Sequence, residues 1–172
     1  MKTKSLLHWS FGLGGVSLVL YSVLGMFSQR YGVTPWIGMV GLLLTIFGLI
    51  GVYSTYSQKN ELLALAGCGL GIVGSTFLVA PALAGSGLPL WAVVIYCLGF
   101  VVLGCLQLMG QSFVRWAGIL LLLGSLGIVL FSYLSLGILL TALAGLVLGL
   151  GVCWVAYTAI MLDGAPQVQP SA

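Results

Sequence analysis

Four long runs without a charged residue make up most of the chain: Ser5 to Gln29, Tyr31 to Gln58, Leu62 to Val114 and Trp116 to Leu162, of 25, 28, 53 and 47 residues. None alternates apolar and polar positions over the ten or so residues of a membrane barrel strand. A helix crosses a hydrocarbon core of about 30 Å in about 20 residues, so the first two runs hold one span each and the last two hold two. Gly85-Ser86-Gly87-Leu88-Pro89 divides the third run, because Pro cannot continue a helix and Gly supplies turn conformations. The fourth run is marked only by Ser132, Tyr133, Ser135 and Gly137, which leaves the boundary between spans five and six open by several residues. The expected helices are about 6–28, 35–56, 62–83, 90–109, 116–133 and 137–161. The fold class is therefore all-α: a polytopic membrane helical bundle of six transmembrane helices over 1–162, with a short polar tail at 163–172.

Composition narrows the solvent. Only 4% of the residues are charged and 61% are hydrophobic, with a mean hydropathy of +1.25, so there is too little polar surface to cover a water-soluble globule. The net charge of +3 reports orientation rather than nucleic-acid binding, which needs a clustered basic face. Lys2, Lys4, Lys59 and Arg115 fall on one side and Arg30 alone on the other; basic loops stay in the cytoplasm, so both termini are expected there. The N-terminus reads as a retained first helix, since its apolar stretch exceeds a signal-peptide core. No lipidation motif is visible.

Trp9, Trp36, Trp91 and Trp116 open helices, and Trp154 comes late in the last one, a distribution that suits anchoring at both headgroup levels rather than a ligand cage. Glycine supplies 26 residues, most of them inside spans, where small residues let helix backbones approach. Gly67, Gly71 and Ser75 form one stripe at four-residue steps, and Thr141, Gly145, Gly149 and Cys153 another. Both are expected to pack helices, within the bundle or between protomers. Gly69-Leu70-Gly71-Ile72-Val73-Gly74 matches the dinucleotide fingerprint literally, but it lies mid-span with no preceding strand and no acid about 20 residues on.

Chemistry is sparse. No Asp, Glu, Lys, Arg or His is expected in the interior of a span, with His8 beside Trp9 read at the headgroup level, which disfavours proton relays and ion pumping. The hydroxyls of Ser17, Ser22, Thr45, Ser75, Thr76, Ser125 and Thr158 are expected to bond to carbonyls one turn back or to a neighbouring helix. Gln107 stands out as a midspan contact, because its amide costs more to leave unpaired in hydrocarbon. Cys68, Cys97, Cys105 and Cys153 lack metal-ligand spacing and a companion His, and read as buried free thiols. No catalytic residue, metal site or cofactor is expected, and His8, Glu61 and Asp163 do not amount to an active site.

A shift of 80 residues superposes Trp36-Ile37-Gly38 on Trp116-Ala117-Gly118, Thr45 on Ser125 and Tyr53 on Tyr133. A tandem three-helix duplication would insert its halves in opposite senses, a 3+3 inverted repeat as in many transporters.

Gly48-Leu49-Ile50-Gly51-Val52-Tyr53, the polar loop before Leu65-Ala66-Gly67, and Val114-Arg115-Trp116-Ala117-Gly118 ahead of a Leu-rich helix resemble small uncharacterised bacterial integral membrane proteins with six helices. The acid-resistance membrane proteins are a more distant comparison. This resemblance implies a bacterial inner membrane and no particular activity. Two functions remain: a non-enzymatic protein acting through helix contacts, as a homo-oligomer or accessory subunit beside membrane lipids and a membrane protein partner, or a small transporter or channel for an uncharged or amphipathic solute. The first is the preferred reading: a filled core with an exposed small-residue groove favours it, and a hydrated cavity near the midplane lined by Gln107 or several hydroxyls, with a helix broken or kinked at Pro81, the second.

Overall fold

Each apolar run closes into helix, because in hydrocarbon every backbone N–H and C=O must find its partner within the chain. The computed structural model describes residues 2–27, 34–58, 60–84, 88–109, 112–134 and 137–164. Six helices appear in these: α1 (Lys2–Phe27), α2 (Thr34–Tyr56), α3 (Glu61–Ala84), α4 (Leu90–Leu108), α5 (Ser112–Tyr133) and α6 (Ile138–Gly164). All six are long and apolar enough to cross a membrane. The connection carrying Arg30, the Lys59 position, the Gly85–Gly87 turn and the tail from 165 onward lie outside the described residues.

Local signals set the ends. Asn60 caps α3, its side-chain oxygen accepting from the Leu63 N–H at 3.1 Å. Pro89 sits at the start of α4, and its carbonyl accepts from Ala92 and Val93. The boundary between spans five and six falls at 134–137, where Gly137 takes φ +106°, a conformation that strains any side-chain-bearing residue, and α6 begins one residue later.

Consecutive helices pack side by side in alternating directions, and α6 returns to α1, so the six close into a ring. Glycines set how near the backbones come. A Cβ on Gly99 of α4 would lie 2.7 Å from the Gly71 Cα of α3, and one on Gly149 of α6 would lie 2.9 Å from the Gly15 carbonyl oxygen of α1. Gly67 is buried against Leu103 of α4, Gly71 lies between Gly99 of α4 and Leu49 of α2, Ser75 is buried, and Gly145, Gly149 and Cys153 lie against α1. The stripes are thus occupied inside the chain. These two interfaces, α3 with α4 and α6 with α1, occupy corresponding places in the two halves. Trp36-x-Gly38 and Trp116-x-Gly118 open α2 and α5 at opposite ends of the bundle, as even- and odd-numbered helices of any alternating bundle do.

The ring's interior differs along its length. In the half near the chain termini it is filled: Phe11 of α1 stacks on Phe100 of α4 across the axis at 6.4 Å between centroids, with Leu49, Leu103, Leu121, Val152 and Val155 buried around them. The opposite half, called here the far end, is hollow.

Candidate functional site: a vestibule at the far end

The hollow is a cavity of about 910 Å³ at the far end, to which all six helices contribute. That size lies within the usual range of small-molecule sites, about 300–1,000 Å³. Leu18, Leu42, Leu148 and the ring of Tyr96 line its deep part, and the hydroxyl residues Tyr21, Ser22, Thr34, Ser132 and Thr141 line its wall and mouth. Among the described residues, none that lines it is charged. On α3 the wall is Leu78 and Ala82, either side of Pro81, which has no N–H to give to the preceding turn. Gly25 lines the cavity with open space where a Cβ would be, and Gly145 lines it opposite Ser22, whose Oγ would be 2.5 Å from a Cβ there.

Ser22 differs from the other buried hydroxyls. Thr45 donates to the Gly41 carbonyl at 2.7 Å, Ser75 to Gly71 at 2.7 Å, Ser125 to Leu121 at 2.6 Å and Thr158 to Val155 at 2.9 Å. Such back-bonds satisfy the hydroxyl within its own helix. Ser22, only 6% exposed, makes no hydrogen bond among the described residues and faces the cavity. The Tyr96 hydroxyl is buried beside Thr45, away from the open space.

Polar groups at the opposite end are sealed rather than presented. The Tyr56 hydroxyl of α2 and Thr158 Oγ1 of α6 lie 3.2 Å apart, tying two helices that are not chain neighbours. His8 Nε2 sits 3.1 Å from Thr55 Oγ1, and the ring is fully buried inside α1. The ring therefore faces the bundle interior rather than outward, one turn into the apolar span Ser5–Met26. Gln107 is fully buried, and neither amide atom has a partner. It lies in the last turn of α4, against Gly118 of α5, so its expected midspan position is corrected. Gln107 does not line the vestibule.

The remaining candidates scatter. Thr141 and Gly145 belong to the vestibule wall, while Gly67, Gly71, Ser75, Gly149 and Cys153 form helix crossings. Cys68 and Cys97 are buried and Cys153 half-buried, but Cys105 faces outward, which corrects its reading as a buried thiol. Trp9, Trp36, Trp91 and Trp116 are exposed near helix starts, whereas Trp154 packs against the core ten residues before the end of α6. No group of three His, Cys, Asp or Glu suited to a metal occurs among the described residues.

Helical spacing carries a signal that composition hides. His8, Phe11, Gly15 and Ser22 follow one another at steps of three, four and seven, so they share the inward face of α1. Comparison with protein-family models, with curated proteins and with solved structures gave no match.

Proposed function

We propose that this chain is a multi-pass protein of a bacterial inner membrane, with both termini cytoplasmic, that takes an uncharged, largely apolar solute into the vestibule from the extracytoplasmic side. The observation that carries this reading is the hydroxyl-studded cavity, uncharged among the described residues, at one end of an otherwise filled ring. A charged solute would lose its hydration there without meeting a counter-charge, at a cost of several kcal/mol. An apolar solute gains contacts with the leucine floor and keeps its polar atoms near the hydroxyls. Because the terminal half is packed shut, the arrangement suits a binding protein or carrier rather than an open channel. The role through exposed small-residue stripes has less support, since both stripes are engaged between helices of the same chain.

Thermal unfolding of the purified protein tests the proposal with a panel of neutral and ionised solutes. Gly25→Trp fills the vestibule from a position with free space, so it blocks binding without crowding a helix. Neutral apolar solutes should raise the melting temperature of the natural protein and not of Gly25→Trp, while ionised analogues should have no effect. Equal shifts in both proteins, or shifts only from ionised solutes, would overturn the reading.

A further inference from the structure

We infer that the solute is a compact neutral amphiphile, a ring-sized apolar body with one hydroxyl or carbonyl group that hydrogen-bonds to Ser22. This rests on the vestibule reading and goes further by assigning a recognition residue and a ligand shape.

Ser22 is one of the hydrogen-bonding groups that the fold leaves over at the cavity, beside Thr34 Oγ1 at the start of α2 and the Tyr96 hydroxyl, which are themselves sealed from the open space. It is 94% removed from solvent, its hydroxyl has no partner among the described residues, and it lines the cavity opposite Gly145, where the absence of a side chain leaves the oxygen uncovered. Thr45, Ser75, Ser125 and Thr158, the other fully buried Ser and Thr residues, have each bonded to their own helix. The Ser22 oxygen is not among the sealed unpartnered atoms, so it remains reachable from the cavity by a ligand group that supplies its partner. As both donor and acceptor, the hydroxyl matches an alcohol, a phenol or a carbonyl without requiring charge.

Depth fixes the shape. Ser22 lies five residues before the end of α1, about 7 Å below the mouth at 1.5 Å per residue. The floor at Leu148 lies ten residues into α6, about 15 Å down by the same rise. Below Ser22 the lining is Leu18, Leu42, Leu148 and the Tyr96 ring. That leaves an apolar bowl of roughly half the cavity's depth beneath a single polar group, which holds one or two fused rings and is too shallow for a long hydrocarbon chain extended below its head.

The experiment is equilibrium binding to the full-length protein in detergent, using 2-naphthol, naphthalene, 2-naphthoate and dodecan-1-ol, with the natural chain and the Ser22→Ala, Ser22→Thr and Gly25→Trp variants. Thermal unfolding without ligand confirms that each variant is folded. One hydrogen bond is worth about 0.5–1.5 kcal/mol, so 2-naphthol should bind roughly threefold to tenfold more tightly than naphthalene. Ser22→Ala should erase that preference while leaving naphthalene unchanged, Ser22→Thr should restore it, Gly25→Trp should abolish both, and 2-naphthoate should not bind. A 2-naphthol affinity unchanged by Ser22→Ala, or dodecan-1-ol as the tighter ligand, overturns the inference and leaves the vestibule reading standing. Uncharged probes that bind Gly25→Trp as well as the natural chain, or that bind neither protein, overturn both.

Discussion

Replacing Gly99 with Ala tests whether close backbone crossings hold the ring together. A Cβ at Gly99 would meet only backbone: the Gly71 Cα at 2.7 Å and the Gly67 carbonyl oxygen at 2.9 Å. The Gly71 backbone nitrogen is nearer still and ordinary contact begins near 3.4 Å, so α3 and α4 must separate by about 1 Å, and no side chain can rotate aside to spare them. Overpacking of this kind costs about 1–3 kcal/mol, and separating the helices also forfeits dispersion contacts along the interface. Gly69→Ala is the matched control, because it lies on the same helix stretch as Gly71 with nothing within 4 Å of its Cβ, and it gains the same helix propensity. SDS-driven unfolding in mixed micelles, followed by tryptophan fluorescence, reads the difference. Gly99→Ala should unfold at lower SDS than Gly69→Ala, by the equivalent of about 2 kcal/mol or roughly thirtyfold in the unfolding constant. Identical midpoints would refute the idea that α3 and α4 meet backbone to backbone.

Two further substitutions probe the sealed half. Gln107→Leu removes an amide that is fully buried without a partner, so it should raise stability by about 1 kcal/mol or more in the same unfolding assay; a loss would mean that the amide is satisfied in the membrane. Tyr56→Phe removes the hydroxyl facing Thr158 and should cost about 0.6 kcal/mol, the usual worth of an interhelical hydrogen bond in lipid, and a loss several times larger would show that this tie closes the ring.

Much of the fold was legible because charges are so rare that the gaps between them measure spans. Lys59 and Glu61 mark the turn before α3, and Arg115 sits in the first turns of α5. Gly137 was visible as one of several weak breakers, but only its positive φ distinguishes it from the serines nearby. Which helices become neighbours is not written in hydropathy, since every span is apolar nearly all round. The vestibule, built from the far ends of all six helices, was therefore out of reach. Ser22 looked like any hydroxyl expected to back-bond, and its isolation appears only once Gly145 is placed opposite it. His8 was read together with its neighbour Trp9, which faces outward, although its spacing to Phe11 and Gly15 puts it on the buried face.

The most direct test of a ring hollow at one end and filled at the other is the reactivity of two buried positions. Ser22 and Val155 are both shielded from bulk solvent, yet only Ser22 lines the vestibule. In a protein whose four native cysteines are replaced, Ser22→Cys should react with a membrane-impermeant maleimide added from the side opposite the termini, and Val155→Cys should react from neither side. Labelling of Ser22→Cys only from the side of the termini, or equal labelling of both positions, would contradict the account.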